Sequence, residues 1–138
     1  MEKRRVLFVC VHNSARSQMA EGMLRAWAGD RFEVASAGTE ATGVRPEAIT
    51  AMAELGIDLS GHTSKPVAGF VGQAWDFLIP VCEEACEACP YVPGAKKVLR
   101  WAFDDPAAAT GTDAERLAAF RTVRDALGAQ IRDFIATA

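Results

Sequence analysis

The stretch from Val6 to Glu21, VLFVCVHNSARSQMAE, constrains the fold more than any other part of the chain. An apolar run, Val6 to Val9, has the character of a buried strand and leads into Cys10. Five loop residues follow, and Arg16 and Ser17 then open a helix whose apolar positions include Met19, Met23, Leu24 and Trp27. A thiol therefore faces a helix N-terminus. The loop of Val11, His12, Asn13, Ser14 and Ala15, closed by Arg16 and Ser17, is the size at which successive backbone N–H groups curl around one tetrahedral oxyanion, reinforced by the positive end of the helix. In that ring of dipoles, beside a guanidinium and a hydroxyl, Cys10 is expected to ionise more readily than a free thiol and to act as a nucleophile. Arg16 offers a planar fork for two oxygens of the anion. Asn13 offers a short amide that can hold the loop through its backbone groups. A lone cysteine ending a strand would more simply be a small core residue; here strand, gap, Arg-Ser pair and helix occur together, which favours the site.

The rest of the composition narrows the class. With 138 residues the chain is expected to form one domain, residues 1–138, burying roughly 70% of its unfolded surface without a staple. Apolar content of 50%, charged content of 24% and a net charge of -3 describe an ordinary globular protein rather than a disordered or membrane one. The negative balance speaks against nucleic acid, whose binders carry a basic stripe; Lys3, Arg4 and Arg5 form only a short charged run before the first strand. That run and VLFVCV superficially resemble a signal peptide, but the apolar part is too short and ends at His12 and Asn13, and no segment approaches membrane-spanning length. A cytoplasmic monomer is expected. In a reducing compartment four cysteines point to catalysis, redox work or metal rather than to structural bridges.

Along the chain, Phe32 to Ala37 is expected as a second strand, so that strand, helix and strand make a right-handed parallel βαβ unit. Pro46 begins a second helix with Ile49, Met52, Ala53 and Leu55 on one face and Gly56 as its stop. Trp75 to Val81 is expected as a third strand, with Pro80 marking a strand end or an edge. Lys97 to Trp101 is expected as a fourth. A last helix spans about Asp113 to Ala136, where Leu117, Phe120, Arg124, Leu127, Ile131 and Phe134 recur at helical spacing as a core stripe. The fold class is α/β: a single domain with a central four-stranded parallel sheet flanked by helices and the anion loop at the carboxyl end of strand one.

A second constellation follows the third strand, Cys82-Glu-Glu-Ala-Cys86-Glu-Ala-Cys89-Pro90. Since strand three should neighbour strand one, these thiols are expected near Cys10. In a helix, Cys82 and Cys89 would lie on one face roughly 10 Å apart along the axis. A disulfide tolerates at most about 7 Å between Cα atoms, so joining them would require the segment to unwind. Cys86-x-x-Cys89 alone could be a dithiol motif or half a zinc site. Zinc is disfavoured because only His12 and His62 could join it, both far away in sequence. Cys86 is expected to pack as a small residue, with a disulfide to Cys89 as the minor alternative. A third element, Asp104-Asp105-Pro106, is a common turn taken alone. Near an anion it could protonate a departing oxygen, partial burial against Trp101 or Phe103 raising its proton affinity.

The spacing of Cys10, Arg16 and Ser17 resembles the phosphate-binding loop of the low-molecular-weight tyrosine phosphatase fold, and CVHNSARSQMAEG more particularly resembles the thioredoxin-coupled arsenate reductases built on it. The resemblance covers nearly the whole chain. It implies that Cys82 and Cys89 are a redox pair and that Asp105, immediately before Pro106, is the general acid. It further implies arsenate as the substrate: attack by Cys10 gives a thiol-arsenate adduct, Cys82 attacks the Cys10 sulfur and releases arsenite, Cys89 attacks Cys82, and thioredoxin reduces the Cys82–Cys89 bridge. No metal or organic cofactor is implied. His12 and Ala15 depart from the glycine and cysteine frequent in relatives, and their side chains are expected to point away from the anion. Some relatives hold a monovalent cation through residues matching Asn13, Glu21 and Ser36; this chain has Lys65 where they carry an acidic or amide residue, so its ammonium could occupy that place, unless Lys65 is simply an exposed loop lysine. Two other functions fit parts of the sequence. A tyrosine or small phosphomonoester phosphatase would use Cys10, Arg16 and Asp105 and leave the downstream cysteines without work. A non-enzymatic arsenite or redox sensor would use the thiols and find the oxyanion loop superfluous.

Overall fold

The computed structural model describes residues 3–40, 42–70, 72–81, 95–103 and 105–138. Its elements run β1 (Arg4–Cys10), α1 (Arg16–Ala28), β2 (Phe32–Gly38), α2 (Pro46–Ala53), β3 (Trp75–Pro80), β4 (Ala95–Val98) and α3 (Asp113–Thr137). Short 3-10 turns lie at Val67–Phe70 and Pro106–Ala108. The four strands form one sheet in the order β2-β1-β3-β4, every neighbouring pair parallel. This is the expected α/β architecture, and it sets β1 in the interior with its carboxyl end, Cys10, between the ends of β2 and β3.

Alternation along β1 divides the core. Val6, Phe8 and Cys10 face the larger cluster, which the three α-helices share through Met19, Met23, Leu24, Met52, Phe120 and Leu127. Leu7 and Val9 face the smaller one, with Trp75 and Leu78, against which Val67 and Phe70 pack. Each large side chain buried this way stabilises the fold by about 1.5–3 kcal/mol. Phe134, near the end of α3, packs against Phe32, Phe77 and Trp101 with ring centroids 5.0–5.8 Å away.

Pro80 ends β3, as a strand-terminal proline should, although β3 is an inner strand. β4 lies at Ala95–Val98 rather than at the expected Lys97–Trp101, and Pro80 explains why it stops at Val98. Leu99 N–H still donates to Leu78 O and Trp101 N–H to Pro80 O, each at 2.9 Å, so the chain continues beside β3. Continuing the ladder past Val98 would require the N–H of residue 80 to donate to Leu99, and proline has none.

Helix α2 has the expected Pro46 in its first turn, and Gly56 takes φ +75° just beyond the helix. Its buried face is Ala48, Ala51 and Met52; of the expected set Met52 is buried and Ile49 packs half-buried against the core, whereas Ala53 and Leu55 are exposed. Leu55 lies past the helix end, so helical spacing does not govern it. Helix α3 begins with a reciprocal capping box between Thr112 and Glu115, and Phe120, Arg124, Leu127, Ile131 and Phe134 are buried as a stripe. Arg124 is the polar interruption: its Nη1 donates to Ala51 O at 2.9 Å and to Glu54 Oε1 at 2.6 Å, tying α3 to the end of α2. Among the described residues no helix is long and apolar enough to cross a membrane.

The Glu54 carboxyl receives hydrogen bonds first from Arg121 and then from Arg124, which push it down from the ordinary 4.5 to about 2. A carboxyl lowered in the folded state contributes stability above its unfolded value and loses it as pH falls through the folded value. Glu54→Gln should therefore have a lower melting temperature than the wild type at pH 7. The difference should shrink as pH falls from 4.5 toward 2 and vanish below, measured by thermal melts in that series.

Candidate active site

The loop from Val11 to Ala15 is held by its carbonyls. Glu40 N–H donates to Val11 O at 2.8 Å, Thr42 N–H to His12 O at 3.3 Å, Arg45 N–H to Ser14 O at 2.9 Å and Met19 N–H to Ala15 O at 2.9 Å. Ser64 Oγ donates to Asn13 O at 2.7 Å. In a trans peptide the N–H of the following residue points opposite the carbonyl, and no peptide here is cis. With the carbonyls turned out toward the segments after β2, before the first 3-10 turn and in α1, the N–H groups from His12 to Arg16 turn the other way, into a cradle at the end of β1. Gly38 makes the close approach possible. A Cβ there would stand 2.6 Å from Val11 O and 2.8 Å from both Asn13 N and Cys10 O.

Cys10 is 2% exposed, and its sulfur has two polar neighbours, Asn13 N–H at 3.2 Å and Ser17 Oγ at 2.8 Å. The network behind the second contact is ordered by the Asn13 amide. Lys65 N–H donates to Asn13 Oδ1 at 2.8 Å, which identifies that atom as the oxygen and leaves Asn13 Nδ2 to donate to Ser17 Oγ at 2.7 Å and to Ser36 Oγ at 3.0 Å. Ser17 Oγ, which accepts from Asn13, lies 2.8 Å from the sulfur, a contact in which either partner can donate. Ser36 in turn donates to Glu21 Oε1 at 2.5 Å. The Asn13 N–H thus donates to the Cys10 sulfur, with the Ser17 hydroxyl within hydrogen-bond reach beside it.

Glu21 anchors the far end of this chain. It is 4% exposed and is met by Arg25 Nη1 at 2.7 Å, Lys65 Nζ at 3.5 Å and His62 Nδ1 at 3.6 Å. Burial works to raise its carboxyl, but the Ser36 hydrogen bond and the charges of Lys65 and Arg25 together outweigh burial and hold it below the usual range. His62 is pushed down by desolvation, against the opposing pull of Glu21. The four residues of the anticipated cation site, Asn13, Glu21, Ser36 and Lys65, do come together.

Arg16 is 5% exposed and reaches across to the segment after β4. Its Nη1 donates to Phe103 O at 2.9 Å, and its Nη2 lies 3.8 Å from Asp105 Oδ2. Asp105 also accepts from Ala107 N–H at 3.0 Å, capping the Pro106–Ala108 turn. The guanidinium therefore joins the anion loop to the candidate acid loop. His12 Nδ1 is directed at Glu40 Oε2, 3.6 Å away, and Ala15 is 2% exposed. Cys82, Cys86, Cys89 and Asp104 lie outside the described residues. Among the described residues no three His, Cys, Asp or Glu side chains are grouped to hold a metal ion.

Several contributing residues carry little signal in the sequence. Arg25 is legible as the i+4 partner of Glu21. Gly38 reads only as a strand exit, and Gln18 and Ser64 read as ordinary polar positions until the tertiary structure brings them to Asn13.

The profile of the family described as low molecular weight phosphotyrosine protein phosphatase matches residues 5–138. An arsenate reductase of Halalkalibacterium halodurans is 46% identical over 137 residues, which are 99% of this chain and 99% of that protein. A solved arsenate reductase in the phosphate binding state superposes with a TM-score of 0.82 at 36% identity, covering 96% of this chain and 97% of the other. A thioredoxin-dependent arsenate reductase of Corynebacterium glutamicum superposes with a TM-score of 0.74 at 28% identity, over 98% of this chain and 61% of its own.

Gly38→Ala should force the loop away from β2, lowering stability by about 1–3 kcal/mol as overpacking does and weakening inorganic phosphate binding in calorimetry. Gly69→Ala, where a Cβ meets nothing within 4 Å, is the control and should change neither.

Proposed function

The chain belongs to the low molecular weight phosphotyrosine protein phosphatase family, and from that premise we propose that it is an arsenate reductase of the thioredoxin-coupled type. The observation that carries this is the cradle at Cys10: a loop with its carbonyls turned outward, the Asn13 N–H and the Ser17 hydroxyl at the sulfur, and Arg16 linking the loop to Asp105. Arsenate and phosphate are both tetrahedral oxyanions, so inward N–H groups suit either. The relatives reported above, named arsenate reductases along nearly this chain's full length, favour arsenate.

In the mechanism, the Cys10 thiolate attacks arsenic and Asp105 gives a proton to the departing oxygen, which leaves as water. The Asn13 N–H and the Ser17 hydroxyl position the sulfur for attack, and the loop N–H groups neutralise charge on the arsenate oxygens. Cys82, as a thiolate, then attacks the Cys10 sulfur. The electron pair of the sulfur–arsenic bond stays on arsenic, which leaves as arsenite reduced by two electrons, and a Cys10–Cys82 disulfide forms. Cys89 attacks Cys82, returning Cys10 as a thiolate. The dithiol of thioredoxin finally reduces Cys82–Cys89 and takes the oxidising equivalents away. No organic cofactor enters. The assignments of Cys82 and Cys89 rest on their spacing in the sequence and on the family resemblance. A phosphatase would use the same cradle, so hydrolysis of an aryl phosphate by Cys10 is expected as a slow side activity.

Lys65 is assigned as a built-in cation. Its ammonium, 3.5 Å from Glu21 Oε1, supplies positive charge beside the buried carboxylate from within the chain.

Two measurements test these assignments. With thioredoxin, thioredoxin reductase and NADPH, wild-type protein should consume NADPH in an arsenate-dependent way. Cys82→Ser and Cys89→Ser should lose multiple turnover by about 100-fold or more while keeping slow aryl phosphate hydrolysis, and Cys86→Ser should stay near wild type. Sustained turnover in either of the first two variants would overturn the relay. No arsenate turnover in the wild type, with Cys10-dependent hydrolysis intact, would make the protein a phosphatase. For Lys65, the steady-state rate should be the same in potassium and sodium chloride at equal ionic strength; a severalfold activation by potassium would remove the assignment.

A further inference from the structure

Helix α1 carries in its first turn a polar side chain that takes no part in the chemistry above. Gln18 is fully buried. Its Nε2 is 2.9 Å from Thr63 O, 3.0 Å from Asn13 Oδ1 and 3.3 Å from Asn13 O, and its Oε1 is 3.0 Å from His62 Nδ1. Its orientation is forced, because all three neighbours of Nε2 are oxygens; Asn13 Oδ1 is itself identified by the Lys65 N–H that donates to it. It follows that His62 Nδ1 donates to Gln18 Oε1. That nitrogen bears its proton in the imidazolium and in the matching neutral tautomer alike, so the contact does not depend on the charge of His62.

Asn13, the residue Gln18 touches twice, has φ +52°, the left-handed region where a side chain is disfavoured. Such a conformation persists where the surroundings over-determine it. Asn13 O accepts from Ser64 and Gln18, and Oδ1 from Lys65 and Gln18. Gln18 therefore reinforces both the backbone and the side chain of Asn13 and also binds the 62–65 segment. Both donors that depend on Asn13, its N–H on Cys10 and its Nδ2 on Ser17, move together if that residue rotates.

We infer that Gln18, oriented by His62, is a positioning residue that holds Asn13 in its left-handed conformation and so keeps the Asn13 N–H on the Cys10 sulfur. Gln18 does not reach the sulfur or the anion and acts through Asn13.

The test is Gln18→Met, which preserves length and bulk but removes the donors. The rate at which iodoacetamide alkylates Cys10, followed on the peptide containing it, should fall about fivefold at pH 7, as expected when hydrogen bonds to the thiolate are lost. The difference should close at high pH, where the thiol ionises in both proteins. Binding of inorganic phosphate should weaken about tenfold by calorimetry, a loss typical of a disturbed preorganised site. A lowered melting temperature with an unchanged alkylation profile would mean that Gln18 is merely structural and would overturn the inference. If Gln18→Met does not fold, His62→Ala serves: it frees Gln18 Oε1 and should give a smaller slowing of the same kind, whereas an unchanged profile would count against the inference. Where both fold, the double variant should be no slower than Gln18→Met, since His62 acts through Gln18; additive slowing would refute that coupling. None of these readouts needs arsenate turnover, so failure here is distinguishable from failure of the reductase assignment.

Discussion

The orientation of one buried amide, that of Asn13, orders the hydrogen-bond network behind Cys10. Its oxygen accepts from the Lys65 backbone, and its nitrogen must then donate to Ser17 and Ser36. Ser36 passes its own hydrogen on to Glu21, and Ser17 Oγ stands 2.8 Å from the thiol. The Cys10 sulfur lies at one end and the Glu21 carboxylate at the other, and the Asn13 amide donates toward both ends, to Ser17 and to Ser36. A buried network in which each member is satisfied stiffens a site, and a half-satisfied one would cost stability.

This network is possible because the sheet is parallel. With every strand running the same way, the segments after β1, β2 and β4 all emerge at the same end. The chain leaving β2 brings Gly38, Glu40, Thr42 and Arg45 to the anion loop, and the chain leaving β4 brings Phe103 and Asp105 to Arg16. The loop thus owes its shape less to its own residues than to donors arriving from neighbouring connections. Gly38 is the tightest of these approaches, since even a methyl group would meet three backbone atoms.

Charge is distributed in two different ways. Around Glu54 the ion pairs are partly solvated and join α2 to α3, so they bear on folding. Around Glu21 the carboxylate itself is buried behind the loop while its cationic partners Arg25 and Lys65 reach it from partly exposed positions. A buried carboxylate is costly when unpaired, and Glu21 is held ionised by a hydroxyl and two cationic side chains. Lys65 is one of those two cations, 3.5 Å from Oε1, and Arg25 the other, 2.7 Å from Oε2.

The sequence by itself determined the strand, anion loop and helix around Cys10, the parallel α/β class and the stripe of α3, because each is a local pattern: an apolar run, a short gap before a helix start, a 3.6-residue period. It was misleading where locality failed. The fourth strand stops at Val98 because Pro80, on a different strand, has no N–H to offer. Leu55 looked like a helix face but follows the end of α2. Gln18, Ser64 and Gly38 carry no distinctive local signal. Ser64 meets Asn13 across 51 residues, and Gln18, though near Asn13 in sequence, is oriented by Thr63 and His62, so only the tertiary structure could decide these contacts. Residue types and spacings were enough to single out Cys10 as the candidate nucleophile; the hydrogen-bond network around it required three-dimensional neighbours, because donors and acceptors are assigned by what they face.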